Sequence, residues 1–476
     1  MFKRKNDAFL NTWLNSKRRR PLILRGARQI GKSTAVRRLA ERQGRELIEV
    51  DLERHSTLNE SFASLDVETI LQDIQLVTRK RIGTNSVIFL DEAQGAPKAL
   101  AALRYFYEQR PQIPIIAAGS LLEFALAELD SSMPVGRVDF ARMHPVTFRE
   151  YLSASGRKLE LEILQSFASG QTHSISPNTH AEMMKVFSEY VLIGGMPAAI
   201  VESMEHAQTV DRLSAAALAH DRLSLAFRDD FSKYRRRIST DLLRKIFDSI
   251  PTLLGQVKVK FSALAPNERT ESAKRGLDAL ISAGLVRKVI HTPARGIPLS
   301  TGSDSDVFKL VPLDVGMSST RELGTPRTMS LPSSLFVKWE SGNSIERQWM
   351  GQLAECVIGQ SLLASDESND QLFYWLREGK SANAEVDYVI QSGTSIVPVE
   401  VKSGSSGTLK SLHQFMAERQ LEFAIRFDIN SPVVHKMDVQ TLMAGGVSTH
   451  VNYTLHGLPL YLSDFVFEYV RKRCKS

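Results

Sequence analysis

One eight-residue segment, 26–33, constrains the fold of this 476-residue chain more than any other feature. It matches the pattern G-x-x-x-x-G-K-[ST] in full, and it lies between an apolar run at 21–24 and an amphipathic stretch at 35–42. Glycines let such a loop turn its backbone N–H groups toward phosphate groups, and the following helix adds the positive end of its dipole. The segment therefore predicts a strand, a phosphate-binding loop and a helix of an α/β fold.

A second motif completes the predicted ATP site. The apolar run 86–90 ends in Asp91 and Glu92, at the edge where a parallel sheet opens toward its ligand. We expect Lys32 to neutralise the β- and γ-phosphates, and Ser33 and Asp91 to hold Mg²⁺. We expect Glu92 to polarise the attacking water as a catalytic group. The predicted nucleotide-binding residues are Gly26, Ala27, Arg28, Gln29, Ile30, Gly31, Lys32, Ser33, Thr34 and Asp91.

The first 150 residues alternate apolar runs with amphipathic stretches, which predicts a parallel sheet with helices on both faces. Candidate strands lie at 21–24, 46–50, 86–90, 113–117 and 138–142, and candidate helices at 35–42, 67–77 and 98–108. Ser120 follows one of these strands on the same predicted edge as the two carboxylates. It is a catalytic candidate that senses the γ-phosphate or orients the water, and its alternative role is to cap the next helix.

With these motifs in place, residues 10–200 resemble the AAA+ ATPases of a bacterial and archaeal-type family that carries a C-terminal domain of unknown function. The resemblance rests on Gly-Ala-Arg-Gln-Ile-Gly-Lys-Ser, Asp91-Glu92-Ala93-Gln94, Ala118-Gly119-Ser120, Gly136-Arg137, Pro145-Val146-Thr147-Phe148-Arg149-Glu150-Tyr151 and Gly194-Gly195-Met196-Pro197. It continues through 309–316 to the C-terminus. It implies ATP hydrolysis and an arginine finger, with Arg137 the first candidate and Arg28 the second. Each of them also fits an ordinary surface or loop arginine.

In the middle of the chain, helical periodicity replaces the alternation of strands and helices. Helical periodicity predicts helices at 147–152, 158–167, 181–192 and 209–227, with a break at 194–197. From 241 to 291, a helix, a turn, a second helix and a strand give the outline of a winged helix. Its basic residues Lys274 and Arg275, with the run 233–237 upstream, favour contact with nucleic acid over a solvated charged face. Residues 292–306 and 318–343 are expected to be loops or linker.

The last third predicts a second α/β domain that carries its own acidic site. Glu400 and Lys402 share one face of a strand, Asp387 lies on the strand before, and Glu355 lies on the preceding helix. Glu355, Asp387 and Glu400 are therefore candidate Mg²⁺ ligands, and Lys402 could polarise a water that attacks a phosphodiester. The pattern is similar to that of the PD-(D/E)xK nucleases, which implies catalytic roles for Asp387, Glu400 and Lys402. Solvated surface charges, or a related fold that binds without cutting, are the alternatives.

Composition excludes few classes of function. There are 60 Lys and Arg against 53 Asp and Glu, and the net charge of +7 permits a polyanionic partner without requiring one. The two cysteines, Cys356 and Cys474, are expected to be free thiols in a reducing cytoplasm. The longest apolar stretch, 113–129, is interrupted by polar residues and is not expected to span a membrane.

The predicted fold class is α/β, with a P-loop NTPase domain of AAA+ type, a helical and winged-helix middle, and a C-terminal α/β nuclease-like domain. The predicted regions are an ATPase core at 1–145, a helical lid at 146–240, a winged-helix-like region at 241–316, a linker at 317–343 and the nuclease-like domain at 344–476. We expect an ATPase that acts on nucleic acid, with DNA favoured, through an ATP-controlled Mg²⁺-dependent nuclease-like domain. The alternative is an ATP-dependent switch that binds nucleic acid or protein without cutting. A homo-oligomer stays open.

Overall fold

The computed structural model describes residues 2–120, 122–123, 126, 136–234, 238–322, 344–365, 371–378, 383–404, 407–442 and 448–474. The chain forms two compact units. One comprises Met1–Val146 and Ala279–Leu285, and the other comprises Thr147–Asp278 and Val286–Ser476. Among the described residues, we find no helix whose length and apolar character would let it cross a membrane.

A five-stranded sheet forms the centre of the first unit. Its strands are β1 (Leu22–Arg25), β2 (Glu46–Asp51), β3 (Ser86–Asp91), β4 (Ile115–Ala118) and β5 (Asp139–Arg142). They lie in the order β2-β3-β4-β1-β5, and every neighbouring pair is parallel. The carboxyl ends of β3, β4 and β1 therefore meet at one edge, which is where a parallel sheet places its ligands. The parallel α/β fold predicted from the apolar runs is confirmed.

Five α-helices precede β4 within the described residues. They are α1 (Asn6–Asn15), α2 (Lys32–Arg42), α3 (Leu58–Ser64), α4 (Val67–Thr78) and α5 (Pro97–Gln109). Local chemistry explains where two of them begin: the Asp66 side chain accepts a hydrogen bond from the backbone N–H of Thr69, and Pro97 occupies the first turn of α5. The helices α2, α4 and α5 are those predicted, whereas α1 and α3 are additional.

Helices dominate the middle of the chain. They are α6 (Phe148–Ala154), α7 (Lys158–Ala168), α8 (Pro177–Ile193), α9 (Pro197–Met204), α10 (Thr209–Asp230), α11 (Thr240–Ser249), α12 (Phe261–Leu264), α13 (Thr270–Ser282) and α14 (Val315–Glu322). Thr147 and Glu150 form a reciprocal capping box at the start of α6. Gly194 breaks the chain between α8 and α9 with φ +74°, as the sequence predicts.

A mixed eight-stranded sheet organises the second unit. Its strands are β6 (Val286–His291), β7 (Asp304–Pro312), β8 (Leu372–Arg377), β9 (Ala384–Ser392), β10 (Ser395–Val401), β11 (Phe423–Asp428), β12 (Val433–Leu442) and β13 (Ser448–Pro459). The order is β12-β13-β11-β10-β9-β8-β6-β7. The helices of this part are α15 (Ser344–Ser365), α16 (Lys410–Arg419) and α17 (Val466–Arg473). A C-terminal α/β region is thus confirmed.

The strands β6 and β7 tie the predicted winged-helix-like region to this sheet. β6 pairs antiparallel with β7 and parallel with β8, so the sheet continues across the boundary that the sequence places at 316. The strand β7 and the helix α14 also take residues 304–306 and 318–322 from segments expected to be loop or linker. The rest of that linker, 323–343, lies outside the described residues. The five-region division stays a prediction.

Candidate functional site

The loop between β1 and α2 takes a backbone path that depends on glycine. Gly26 has φ +138°, and Gly31, which precedes α2, has φ +94°. A Cβ atom added at Gly26 would lie 2.6 Å from the carbonyl oxygen of Met143, so no larger residue fits there without a shift of backbone. Both glycines of the motif are therefore required by geometry, as the pattern predicts.

Lys32 is buried at the start of α2. Its Nζ donates hydrogen bonds of 2.8 Å to the carbonyl oxygens of Gly26 and Ala27. Burial lowers the pKa of Lys32 to about 8, against the opposing attraction of Glu92 and Asp91. The ammonium group is thus desolvated and held over the loop, where a phosphate oxygen would be a stronger partner than a carbonyl.

Ser33 and Asp91 are brought together from α2 and the end of β3. The hydroxyl of Ser33 donates to Oδ2 of Asp91 over 2.7 Å, and the other carboxylate oxygen accepts a 3.0 Å bond from the backbone N–H of Glu92. Burial raises the pKa of Asp91, against the hydrogen bond from Ser33. A hydroxyl and a carboxylate oxygen at this separation form the donor set that a hard divalent cation prefers, so these two residues fit Mg²⁺.

Glu92 sits next to Ser120, as the sequence predicts for a shared edge. Its Oε2 accepts hydrogen bonds from both the backbone N–H and the hydroxyl of Ser120, each 3.2 Å long, and a 2.6 Å bond from Nε2 of Gln94. Burial alone would raise the pKa of Glu92, but these donors, with the charges of Lys32 and Arg28, bring it below its ordinary value. The side chain is therefore an ionised carboxylate able to accept a proton.

Gln94 is a site residue that the sequence reasoning did not single out, although it stands in the Asp-Glu-Ala-Gln motif. Its Oε1 would lie 2.1 Å from a Cβ atom added at Gly119, so Gly119 leaves the room that Gln94 needs to reach Glu92. Gln94 lies two residues after Glu92 in that motif, and this position at the predicted ligand edge is the sequence signal that points to it.

The two arginine-finger candidates lie in different surroundings. Arg137 is exposed, and its Nε pairs with Oε1 of Glu108 over 2.6 Å within the same chain. Arg28 belongs to the loop, and its charge acts on both Lys32 and Glu92. Of the two arginines, only Arg28 lies beside the catalytic candidates of its own chain in the described structure. A finger role for either residue stays a prediction.

A second acidic site lies in the C-terminal domain. One carboxylate oxygen from each of Glu355, Glu385 and Asp387 lies within 4.8 Å of the others, and we call these three residues the carboxylate cluster. Nζ of Lys309 contacts them at 2.5 Å, 2.7 Å and 3.9 Å respectively. Burial raises the pKa of Glu355 to about 7, against the attraction of Lys309. The cluster is therefore closed around a side-chain cation.

Glu400 and Lys402 form a pair of their own beside the cluster. Nζ of Lys402 bonds to Oε1 of Glu400 over 2.5 Å, and Oδ2 of Asp387 accepts a 2.7 Å bond from the backbone N–H of Val401. Burial, and then the charge of Asp387, raises the pKa of Glu400 to about 8. Its Oε2 accepts no hydrogen bond from the described residues.

The structure thus brings together two of the three predicted Mg²⁺ ligands of this domain and adds a third carboxylate. Glu355 and Asp387 meet, whereas Glu400 is not part of the carboxylate cluster and pairs with Lys402 instead. The E-x-K pattern does not single out Glu385, although it lies two residues from Asp387 on β9, where the two side chains share a face. Lys309 gives no such signal, because it lies more than forty residues before the nearest of its partners.

The predicted nucleic-acid surface is only partly described. Lys274 is paired with Asp306 over 2.9 Å, while Arg275 lines a cleft of about 410 Å³ between α11 and α13. Of the run 233–237, Lys233 lies 4.0 Å from Asp230, and residues 235–237 fall outside the described residues. The cleft also contains Asp241 and Glu268, so its charge is mixed.

A parallel sheet that carries this loop after β1, with an ionised glutamate just after the acidic end of β3, defines a P-loop ATPase that binds ATP. In agreement, residues 18–152 match the family profile of an AAA domain. Residues 184–326 match a domain of unknown function (DUF8612), and residues 350–440 match another (DUF4143). No curated protein sequence matches the chain significantly.

Several solved structures are similar to the chain, three of them with the following identity and coverage. The Walker-type ATPase PABY2304 of Pyrococcus abyssi is 16% identical over 68% of this chain and 96% of its own, with a TM-score of 0.43. The ORC2 protein of Aeropyrum pernix, in ADPNP and ADP complexes, is 15% identical over 68% and 94%, with a TM-score of 0.32. RuvB of Thermotoga maritima is 15% identical over 60% and 90%, with a TM-score of 0.31.

Proposed function

We propose that the nucleotide site hydrolyses ATP with Mg²⁺ held by Ser33 and Asp91. The observation that carries this proposal is the 2.7 Å hydrogen bond between these two side chains, which sets two oxygen ligands at the foot of the phosphate-binding loop. A bound Mg²⁺ would neutralise charge on the β- and γ-phosphates. Lys32 binds the same phosphates, Glu92 accepts the proton of the attacking water, and Ser120 holds the Glu92 carboxylate in place.

The roles of Lys32 and Glu92 are separable by experiment. The variant Lys32→Ala should lose ATP binding, because the loop then lacks its cation. The variant Glu92→Gln should bind ATP as the wild type does and turn it over at least about a hundredfold more slowly, since general-base catalysis contributes roughly that much. Calorimetry with a slowly hydrolysed analogue and a phosphate-release assay provide the two readouts. Equal turnover by Glu92→Gln and wild type would remove Glu92 from the role of base.

We further propose that the C-terminal domain is an ATP-regulated binding module rather than a nuclease. The supporting observation is Lys309, whose ammonium group lies where a divalent cation would have to contact Glu355, Glu385 and Asp387. This arrangement does not fit a bound metal ion, because the ammonium group already occupies the position between the carboxylates. The similarity of Asp387, Glu400 and Lys402 to the PD-(D/E)xK pattern keeps a Mg²⁺-dependent nuclease as the second candidate.

Cleavage of nucleic acid separates the two candidates. Plasmid, linear DNA and RNA are incubated with the protein, ATP and either Mg²⁺ or Mn²⁺, beside the matched variant Lys402→Ala. A binding module gives no cleavage above the level of that variant. Cleavage by wild type that disappears in Lys402→Ala would establish the nuclease and refute the binding module.

We propose nucleic acid, with DNA favoured, as the partner of this protein. The support is the net charge of +7 together with Arg275 in the cleft between α11 and α13. Fluorescence anisotropy with labelled DNA and RNA should show binding that weakens as salt rises. Arg275→Glu should reduce it, whereas Lys274→Ala should change it less, because Lys274 is already paired with Asp306. Absence of binding at low salt, with and without ATP, would exclude this partner.

A cytoplasmic location and a homo-oligomer are part of the same proposal. Both cysteines are free thiols, as a reducing compartment would keep them. If Arg137 acts as a finger, it must leave Glu108 and reach the ATP site of a neighbouring copy. Light scattering after size exclusion, with and without ATP, should then show a nucleotide-dependent increase in mass that Arg137→Ala reduces. A monomer under both conditions would exclude a finger supplied by another copy.

A further inference from the structure

We infer that the ammonium group of Lys309 takes the place of a divalent cation in the carboxylate cluster. The C-terminal domain then holds its acidic side chains together without a metal ion. This inference rests on the proposed role of the domain as a binding module, and it names the group that fills its site.

The contacts of Lys309 are those of a cation at the centre of a ligand set. Its Nζ lies 2.5 Å from Oε1 of Glu355 and 2.7 Å from Oε1 of Glu385, and both are hydrogen bonds. The third carboxylate, that of Asp387, lies 3.9 Å away. Two of the three ammonium protons are therefore directed at carboxylates that come from different elements, α15 and β9, and the third carboxylate adds charge attraction.

The surroundings hold this ammonium group in one position. The side chain of Lys309 is 4% exposed, whereas the three carboxylate side chains are each about one-fifth exposed. The rings of Tyr374 and Tyr388 have their centres 5.0 Å and 5.5 Å from Nζ, within the range of cation–π attraction. A buried cation with these partners cannot swing into solvent to make room for another ion without leaving two aromatic faces and two hydrogen bonds.

Charge and space make the lysine and a metal ion mutually exclusive in the cluster. A divalent cation would have to sit about 2.0–2.6 Å from the same carboxylate oxygens. Since these oxygens lie within 4.8 Å of one another, an ion among them would come within a few ångströms of Nζ. Repulsion between the two cations would then oppose metal binding at the short range where Coulomb interactions are strongest.

The second carboxylate oxygen of Asp387 and the neighbouring Glu400 are engaged in separate contacts. Oδ2 of Asp387 accepts the N–H of Val401, and Oε1 of Glu400 is bonded to Lys402. Oε2 of Glu400 accepts no hydrogen bond from the described residues, so a cation held by Asp387 and Glu400 is the competing arrangement. The two arrangements differ in which carboxylates a metal ion would need, and that difference is measurable.

The test is Mn²⁺ binding to the 476-residue chain, and the electron paramagnetic resonance signal of free Mn²⁺ measures it. All proteins carry Asp91→Asn, which removes a ligand of the nucleotide site, and no nucleotide is added. Protein with Lys309 intact should show no saturable Mn²⁺ site. Lys309→Met should gain one saturable site, because the competing positive charge is gone, and at equal Mn²⁺ it should bind roughly tenfold or more Mn²⁺ than its parent. Adding Glu385→Gln should abolish the gain.

Two further variants serve as controls. Lys309→Arg keeps a cation in the cluster and should gain no site. Lys274→Met removes an exposed lysine that is likewise paired with a carboxylate, and it should also gain none. Thermal unfolding reports whether each variant is folded. If Lys309→Met does not fold, Lys309→Gln, which keeps hydrogen-bond donors without the charge, replaces it.

Protein with Lys309 intact decides the matter even if every Lys309 variant unfolds. A saturable Mn²⁺ site in that protein, lost on Asp387→Asn or Glu400→Gln, would overturn the inference. Its absence supports the inference, because the same acidic residues are present and only the lysine separates them from a metal ion. Neither ATP hydrolysis nor nucleic-acid binding enters this measurement, so its failure is distinguishable from failure of the proposed function.

Discussion

The ammonium group of Lys32 is buried at the start of α2 and donates hydrogen bonds to the carbonyl oxygens of Gly26 and Ala27. The motif predicts the position of this residue but not its burial. Burial lowers the pKa of Lys32 to about 8, so its charge becomes dependent on pH in a range where an exposed lysine stays protonated. The phosphates of ATP need the charged form.

ATP affinity should therefore depend on pH in a specific direction. Below pH 8 Lys32 is protonated before ATP binds, and affinity should be nearly constant. Above pH 8 the free protein must take up a proton to bind, so affinity should fall by roughly tenfold for each further pH unit. Lys32→Arg, whose guanidinium stays charged, provides the control for titration of the ligand and of other groups. Titration calorimetry from pH 7 to 10 measures both, and a parallel fall in the two proteins would contradict this assignment.

Gly26 allows a second prediction at the same scale. Gly26→Ala would place a Cβ atom 2.6 Å from the carbonyl oxygen of Met143 and should destabilise the fold, by roughly 1–3 kcal/mol or more, and weaken ATP binding. Gly44→Ala is the matched control, because Gly44 also has a positive φ, +58°, but a Cβ atom there would meet nothing within 4 Å. Thermal unfolding and calorimetry should show that Gly26→Ala is the more damaging. Equal losses of stability and of ATP affinity in the two variants would show that the positive φ alone, and not the contact with Met143, causes the loss.

At the scale of elements, the turn between α8 and α9 depends on a residue far along the chain. The buried carboxylate of Asp314 accepts 2.5 Å and 2.9 Å hydrogen bonds from the N–H groups of Gly195 and Met317. It thus caps α14 and fixes the glycine turn at once. The sequence shows the glycine break but not the carboxylate that stabilises it, because the two lie 119 residues apart.

Asp314→Ala should therefore be strongly destabilising. It leaves two buried backbone donors without an acceptor, at about 1–3 kcal/mol each. Asp306→Ala, which removes an exposed carboxylate on β7, should cost much less stability. Urea unfolding of both variants against wild type makes the comparison. A loss of stability for Asp314→Ala no greater than that for Asp306→Ala would show that the turn does not depend on this carboxylate.

The burial of a strand decides whether the sequence predicts it. The strands β1, β3 and β4 are almost entirely buried, so each appears as a continuous apolar run bounded by turn residues. By contrast, β12 carries mainly exposed side chains, among them Val433, Val434 and Lys436, and β7 begins with the exposed residues Asp304 and Ser305. The first residues of β12 show no alternation, and only in its second half do the partly buried Met437 and Val439 alternate with exposed residues. The pairing of β7 and β12 is fixed by neighbouring strands, which a local pattern does not reveal.

At the scale of the whole molecule, the two candidate sites differ in how far apart along the sequence their residues lie. The ATP site is built from loops within the first 120 residues, and its strand ends converge because the sheet is parallel. The carboxylate cluster instead joins residues from α15 and β9 to Lys309 on β7. In the sheet that contains β7 and β9, the strand β6 lies between β7 and β8. The region from 344 onward therefore lacks both an edge of its sheet and the cation of its site.

A fragment of residues 344–476 should consequently fail to form a cooperative fold. It would expose the edge of β8 that β6 covers, and it would leave three carboxylates together without Lys309. A fragment of residues 147–476 retains β6, β7 and the whole second unit, and it should unfold in a single transition. Circular dichroism during heating, with light scattering to detect aggregation, distinguishes the two fragments. If residues 344–476 alone unfold as sharply and at the same temperature as residues 147–476, the strands β6 and β7 are dispensable, and so is the ion pair that Lys309 forms.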